Sequence, residues 1–461
     1  MATIRRDPDA FARCDGHAAP ENLSRFGGEA GLGNGRLGSD TIGPAEESPM
    51  RLHVLAATTL VTAVGTAHTG SADSPAPPRV TAMLESGQET VRIVCFGDSI
   101  TGVYYHTGGR RAWCDMLGIA LARIYPNAKL EMINAGISGN TTAAGLARME
   151  KDVLAHKPHL VIAMFGMNDC PSGKPGVFGD NLKTIVHRSR AVGAEVVLCT
   201  PNSIYPEDQG RDKHLADFAE AVRKVAAEMS VPLADCYKAY EDLHAANPLE
   251  WKLLMSETIH PGMNGHKLFA EVIAEAMSGK RVKLDDVGPL PTSLAFTYAR
   301  LQAGKPLSVI AMPPYDRLMP DALRKIRPDA VINVTVWPTA PAALGPMEKW
   351  SAGIRAKKPD LVVVGVPAAA DAPSEEQFIR SYNWILDYAL AFGRQEWDTI
   401  AILPSMTDGA NTSGREPLAR RVILSKDIGF IERPDGDTSP AADVLYRWFQ
   451  EQYKTCSIPA E

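Results

Sequence analysis

Five residues along this chain have the types and order needed to move an acyl group. Ser99 follows a β-branched and apolar run, residues 91–96, that stops at Gly97-Asp98, so its hydroxyl is expected at a sharp turn. Gly139 lies in the small-residue stretch Ile137-Ser138-Gly139-Asn140, where a backbone N–H can approach a ligand closely. Asn168, within Gly166-Met167-Asn168-Asp169, offers a side-chain amide donor. His260 can take a hydroxyl proton and return it to a leaving group, and Glu257, three residues earlier, can fix the imidazole tautomer and stabilise the imidazolium. A nucleophile surrounded by the N–H groups of Ser99 and Gly139 and the amide of Asn168 is an acyl-transfer site with an oxyanion hole, each donor contributing about 3 kcal/mol in the transition state. Ser99 alone would read as an ordinary strand-ending Asp-Ser turn; the combination carries the reading. His156, His159 and His187 fall on helices or their ends, and His266 falls one turn into a helix, so these are poorer candidates for the base than His260.

Such residues need elements that bring them to one place. Residues 93–96, 129–135, 160–165 and 195–200 read as strands, and 113–124, 142–155, 180–192, 213–229 and 265–277 as helices. Strands alternating with helices give βαβ units, hence a parallel sheet covered on both faces with right-handed crossovers. All strands of such a sheet end on one side. Ser99, Gly139 and Asn168, each just past a strand, are therefore expected at one edge, where open α/β folds place their ligands. Residues 257–261 precede the last helix and arrive beside the same edge.

Gly97-Asp98-Ser99-Ile100, Gly139 within Ile137-Ser138-Gly139-Asn140-Thr141-Thr142, Gly166-Met167-Asn168-Asp169 and His260-Pro261 resemble the four conserved blocks of the SGNH (GDSL) hydrolase superfamily, in order and at compatible spacing over residues 91–277. Any one block is weak; four in order are specific. Residues 134–148 are similar to the lysophospholipase and thioesterase branch. The resemblance implies a flavodoxin-like three-layer α/β/α sandwich. It implies Ser99 as nucleophile, His260 as base, and Ser99 N–H, Gly139 N–H and Asn168 as oxyanion hole, with no metal and no organic cofactor. The family usually has Asp three residues before the histidine, and this chain has Glu257. Serine hydrolases on another fold use Glu in this role, so Glu257 is kept as the orienter.

Two loops are candidates for substrate choice: residues 104–111 after the nucleophile, with Tyr104, His106 and Arg110, and residues 170–178 after Asn168, ending at Phe178. Aromatic rings beside Arg and Lys can grip sugar rings or an anionic leaving group; solvated loops covering the sheet edge would have the same composition.

The same period restarts in the second half. Residues 307–312, 330–336 and 397–403 read as strands, and 321–326, 378–392 and 441–452 as helices. Residues 352–365 echo residues 153–166, which suggests an internal repeat and a second, smaller α/β domain of the same type. The chemistry is missing from it: Pro313-Pro314-Tyr315-Asp316 stands where Gly-Asp-Ser would be, Trp337-Pro338-Thr339 replaces the glycine loop, and no histidine follows Gly365.

The boundaries expected are 1–49 as a disordered or untranslated extension, 50–72 as a signal peptide, 73–89 as a linker, 90–280 as the catalytic domain, 281–306 as a second linker and 307–455 as the non-catalytic domain. Met50-Arg51-Leu52-His53, the uncharged run 54–67 and small residues at 70–72 have the layout of a secretory signal starting at an internal Met, and the run is too short to span a membrane. A periplasmic or secreted location follows.

At 461 residues the chain is too long for one core. A net charge of -6 argues against nucleic acid or an anionic membrane surface as partner. None of the seven cysteines forms a C-x-x-C pair; Cys114 with Cys170 is a conceivable disulfide. The function expected is an exported serine esterase acting on a small-molecule, carbohydrate or lipid ester, with O-acetylated carbohydrate ahead of lysophospholipid and other short-chain esters. The rival is a non-catalytic carbohydrate-binding or structural protein built from two such domains. A complete set of Ser99, Gly139, Asn168 and His260 beside a second half that lacks one favours the enzyme.

Overall fold

In the computed structural model, which describes residues 3–6, 78–292, 294–393, 396–408 and 415–455, the strand-and-helix alternation builds two parallel sheets. The first runs β1 (Thr3–Arg6), β3 (Lys129–Gly136), β2 (Thr90–Gly97), β4 (Leu160–Met164), β5 (Glu195–Cys199) and β6 (Leu233–Ala234) across its width. Every pairing is parallel. β4 is buried at all five positions, as a strand covered by helices on both faces must be. Gly97 stands level with Gly136 and with Met164, so the loops carrying Ser99, Gly139 and Asn168 leave the sheet side by side.

The second sheet runs β8 (Ile332–Val336), β7 (Leu307–Ala311), β9 (Leu361–Val364), β10 (Asp398–Ile402) and β11 (Phe430–Ile431), again all parallel. Leaving the edge strand β1 aside, both sheets have the order 2-1-3-4-5. The echo of 153–166 in 352–365 extends to backbone: a short helical turn leads to a lysine in the left-handed region, Lys157 (φ 50°) or Lys358 (φ 45°), before β4 or β9 begins. The second sheet's edge is filled. Tyr315 is buried, and a Cβ on Gly365 would lie 2.3 Å from its ring. Trp337 is likewise buried, with its indole N–H donating to Met347 O.

Several boundaries differ from the sequence reading. Thr3–Arg6 pair with Glu131–Asn134 as an edge strand, within a stretch expected to have no regular structure. The signal-peptide reading, residues 50–72, lies outside the described residues. The expected linker 73–89 contains the helix Pro78–Ser86, whose first N–H groups donate to the Glu195 carboxylate; a charge at a helix N-terminus holds it against the sheet. The expected linker 281–306 contains the helix Ala295–Gln302, anchored by buried Tyr298 and Leu301. The helix read as beginning at 180 begins at Pro175, because proline is well tolerated in a first turn. Cys114 and Cys170 are buried and are not joined in a disulfide.

All described residues belong to one compact unit. The apolar layer on one face of the second sheet takes in Leu253 and, at its margin, Tyr105 and Leu249 from the first half.

Candidate active site

Ser99 sits two residues beyond β2, in a turn closed by Thr101 N–H and Gly102 N–H donating to Asp98 O. Its Oγ lies 2.7 Å from His260 Nε2. The other ring nitrogen of His260, Nδ1, is hydrogen bonded to Glu257 Oε1, which also accepts from His260 N–H at 2.9 Å. The extra methylene of Glu is accommodated by a tight turn: Met255 and Pro261 form an antiparallel bridge, and Ser256 N–H donates to His260 O at 2.9 Å. Burial raises the Glu257 carboxyl, but the charge of His260 and the bonds from its ring and backbone outweigh this and hold it below the usual range. Glu257 therefore stays ionised and acceptor-only, which fixes Nδ1 as the protonated nitrogen and leaves Nε2 free to accept from Ser99.

The other loops are tied to this turn. Gly139 has φ +73°, a left-handed conformation that glycine adopts without strain, in a turn closed by Asn140 N–H to Ile137 O. Asn168 Nδ2 donates to Asn140 O at 3.2 Å and lies 3.5 Å from Asp98 Oδ2, so the loops after β2, β3 and β4 meet. Arg148 reinforces them, donating to Gly97 O, Ala135 O and Asn140 Oδ1. Asp169 caps the helix Thr142–Asp152 by accepting from Thr142 N–H at 2.9 Å. Asp98 is buried beneath the site; desolvation drives its carboxyl up to about 7, against the Ile100 N–H and His260, which lower it.

The expected substrate residues are placed differently. Tyr104 is buried, and its hydroxyl accepts from Ser138 N–H beside Gly139, so it braces the glycine loop. His106 is buried too, stacked on His260 with ring centroids 4.0 Å apart and planes 12° apart. Arg110 donates to Pro291 O at 2.9 Å and anchors the segment leading into the second half. Phe178 is a core residue of the helix Pro175–Ala191, packed 5.0 Å from Phe218, because the helix starts before it. The 104–111 loop is held from the second half: Tyr105 N–H donates to Phe392 O, and the Arg111 guanidinium forms a buried two-point ion pair with Asp427.

Sequence reasoning missed Ser256, Asp387 and Lys426. Ser256 Oγ is within 3.2 Å of His106 Nδ1, 3.1 Å of both Asp387 oxygens and 2.5 Å of Lys426 Nζ. Nothing local marks Lys426 as buried; Ser425-Lys426-Asp427 after a helix reads as a surface turn. Among the described residues, His106, Glu257 and His260 bring metal-ligand atoms within 4.8 Å of one another. Nδ1 of each histidine is already hydrogen bonded, and face-to-face rings aim their lone pairs sideways rather than at one point.

Residues 95–268 match the family model described as GDSL-like lipase/acylhydrolase. This part of the chain is a GDSL-like lipase/acylhydrolase domain. The domain is of the ester-bond serine hydrolase type, and the fold is α/β. An acetylxylan esterase of Geobacillus stearothermophilus is 29% identical over 162 residues, 32% of this chain and 73% of that protein. An arylesterase of Vibrio mimicus is 27% identical over 193 residues, 42% of this chain and 90% of its own length. An uncharacterized lipoprotein of Bacillus subtilis (strain 168), YqeF, is 28% identical over 205 residues, 37% of this chain and 81% of its own. The crystal structure of Axe2, an acetylxylan esterase from G. stearothermophilus, aligns with 42% of this chain and 97% of its own at 23% identity and a TM-score of 0.36.

Proposed function

We propose that this GDSL-type hydrolase is an exported esterase that works through an acyl-enzyme on Ser99. The reading is carried by the 2.7 Å contact between Ser99 Oγ and His260 Nε2, with Nδ1 bonded to the Glu257 carboxylate. His260 Nε2 removes the Ser99 proton as Oγ attacks the acyl carbonyl, and the carbonyl electron pair moves onto its oxygen. Ser99 N–H, Gly139 N–H and Asn168 Nδ2 stabilise that oxyanion. Its collapse expels the alcohol, which takes the proton from His260. Water then repeats the sequence and releases the acid. Glu257 stabilises the imidazolium in each half without itself taking the proton.

Acetylated carbohydrate is the first substrate class to test, since one relative is an acetylxylan esterase. Export is supported by the layout of residues 50–72 and by a relative described as a lipoprotein. The second sheet, with its repeated strand order and filled edge, is read as a non-catalytic copy of the first.

The deciding experiment is hydrolysis of 4-nitrophenyl acetate by the full chain and by Ser99→Ala, with a fluorophosphonate probe run beside both. The variant should lose about 10⁴-fold or more in kcat and all labelling. Unchanged turnover in Ser99→Ala would remove Ser99 from the mechanism. Acetylated xylo-oligosaccharides and a lysophospholipid, compared next by kcat/KM, distinguish the substrate classes.

A further inference from the structure

The turn that carries His260 is gripped from the second half of the chain. Met263 N–H donates to Ser425 O at 2.6 Å, and Asn383 Nδ2 donates to Met255 O at 3.2 Å. Between these two points lies a buried polar group. Ser256, Asp387 and Lys426 have exposures of 1%, 0% and 0%, and Lys426 Nζ lies 2.7 Å from Asp387 Oδ1. Ser256 has one hydroxyl hydrogen and two lone pairs. The Lys426 ammonium only donates and the Asp387 carboxylate only accepts, so the hydroxyl accepts from Lys426 and donates to Asp387. The remaining lone pair takes the Nδ1 hydrogen of His106, 3.2 Å away. The Ser256 hydroxyl is then fully used and the tautomer of His106 is set.

His106 in turn lies flat on His260. Tyr105 also lies against it, with ring centroids 3.9 Å apart and planes tilted by 41°, and the guanidinium of Arg355 lies 4.4 Å from the centre of the Tyr105 ring. Arg355 belongs to the second half and donates to Leu390 O at 3.1 Å. Burial, with the charges of His260, Lys426, His266 and Arg355, holds His106 well below the usual histidine range, so the ring stacked on His260 is neutral.

We propose that the second half of the chain positions the catalytic histidine: Lys426 and Asp387, acting through Ser256 and His106, fix the ring plane of His260 so that Nε2 points at Ser99. This rests on the Ser99–His260 reading above. An imidazole held only by the hydrogen bond at Nδ1 can still rock about its Cβ–Cγ bond and carry Nε2 away from the hydroxyl. A neutral aromatic surface parallel to it and anchored at one nitrogen removes that freedom, and it can face the imidazolium without charge repulsion. These are positioning residues; none touches the substrate.

The test uses the full chain, with active sites counted by fluorophosphonate, so that unfolded protein does not enter kcat. Ser256→Ala removes the anchor and leaves the Lys426–Asp387 pair. His106→Ala removes the stacked ring, and His106→Phe restores a ring without the anchor. In Lys426→Met with Asp387→Leu the ion pair is replaced by apolar groups, an exchange buried pairs often tolerate. Expected are a fall of about tenfold in kcat per titrated site for Ser256→Ala and the double variant, a larger fall for His106→Ala with partial recovery in His106→Phe, and KM for 4-nitrophenyl acetate unchanged throughout. A role in folding alone would lower the number of titrated sites and the melting temperature, with kcat per site as in the wild type; that result in Ser256→Ala and His106→Ala overturns the proposal. If the double variant does not fold, those two single variants still decide. Failure of the underlying reading looks different: Ser99→Ala would turn over substrate, or the wild type would resist the probe.

Discussion

At the scale of single residues, two carboxyl groups beside Ser99 have opposite fates. Glu257 meets the ring and backbone N–H of His260 and stays ionised. Glu257→Gln keeps the size but offers a neutral partner that can donate as well as accept, so the His260 tautomer is no longer fixed. A loss of about 10³- to 10⁴-fold in kcat is expected, with KM little changed. Esterase kinetics per titrated site measure it, and wild-type kcat would remove Glu257 from the mechanism. Asp98 is buried with less compensation, and its carboxyl rises from 3.8 to about 7. Between those values the unfolded chain has released a proton that the folded chain keeps. The stabilisation is therefore complete below pH 3.8 and is lost as pH rises through 7, at about 1.4 kcal/mol per pH unit. Asp98→Asn, which cannot ionise, should flatten that slope in urea denaturation between pH 5 and pH 7; an unchanged slope would assign it to other groups.

At the scale of elements, two glycines hold the site for different reasons. Gly139 needs its left-handed φ of +73°, and nothing lies within 4 Å of the place where a Cβ would sit. Gly139→Ala should therefore cost about 1–2 kcal/mol through backbone strain alone. If the loop relaxes instead, its N–H turns away and kcat falls while stability is kept. Gly262 has an ordinary backbone, φ -85°, but a Cβ there would lie 2.7 Å from Ser425 O. Gly262→Ala must push the His260 turn away from the second half, so both the melting temperature and kcat should fall. Calorimetry and esterase assays on the two variants separate strain from steric displacement. The helix Trp113–Ile124 was legible to the residue from its apolar period. From sequence alone the helix from Pro175 reads as starting five residues late, because proline and glycine near its start resemble a loop locally, and Phe178 then falls in a loop instead of the core.

At the scale of the whole molecule, the two sheets share a buried charge. Lys426→Met alone leaves Asp387 without its ammonium. Burial already drives that carboxyl up to about 6 despite Lys426, and it would rise further without it. Above the wild-type folded value, each pH unit up to the higher value of the variant costs the variant about 1.4 kcal/mol more than the wild type, so it should lose little at pH 5 and about 3 kcal/mol at pH 8. Denaturation at the two pH values checks this, and equal losses would show that Asp387 does not titrate. The sequence by itself determined the parallel sheet, the order of Ser99, Gly139, Asn168 and His260 along it, and the repeat of the strand pattern. Each of these is written in a short window: a strand run ends, and a polar or small residue follows at the edge. Only the tertiary structure decided that Tyr104 and His106 face inward, that Thr3–Arg6 pair at the sheet edge, and that Asp387 and Lys426 stand behind His260. Those partners are 131 and 170 residues from Ser256. A lysine destined for burial has the same local pattern as one in water; what distinguishes it is the counter-charge and hydroxyl brought to it by packing, which no window of sequence contains.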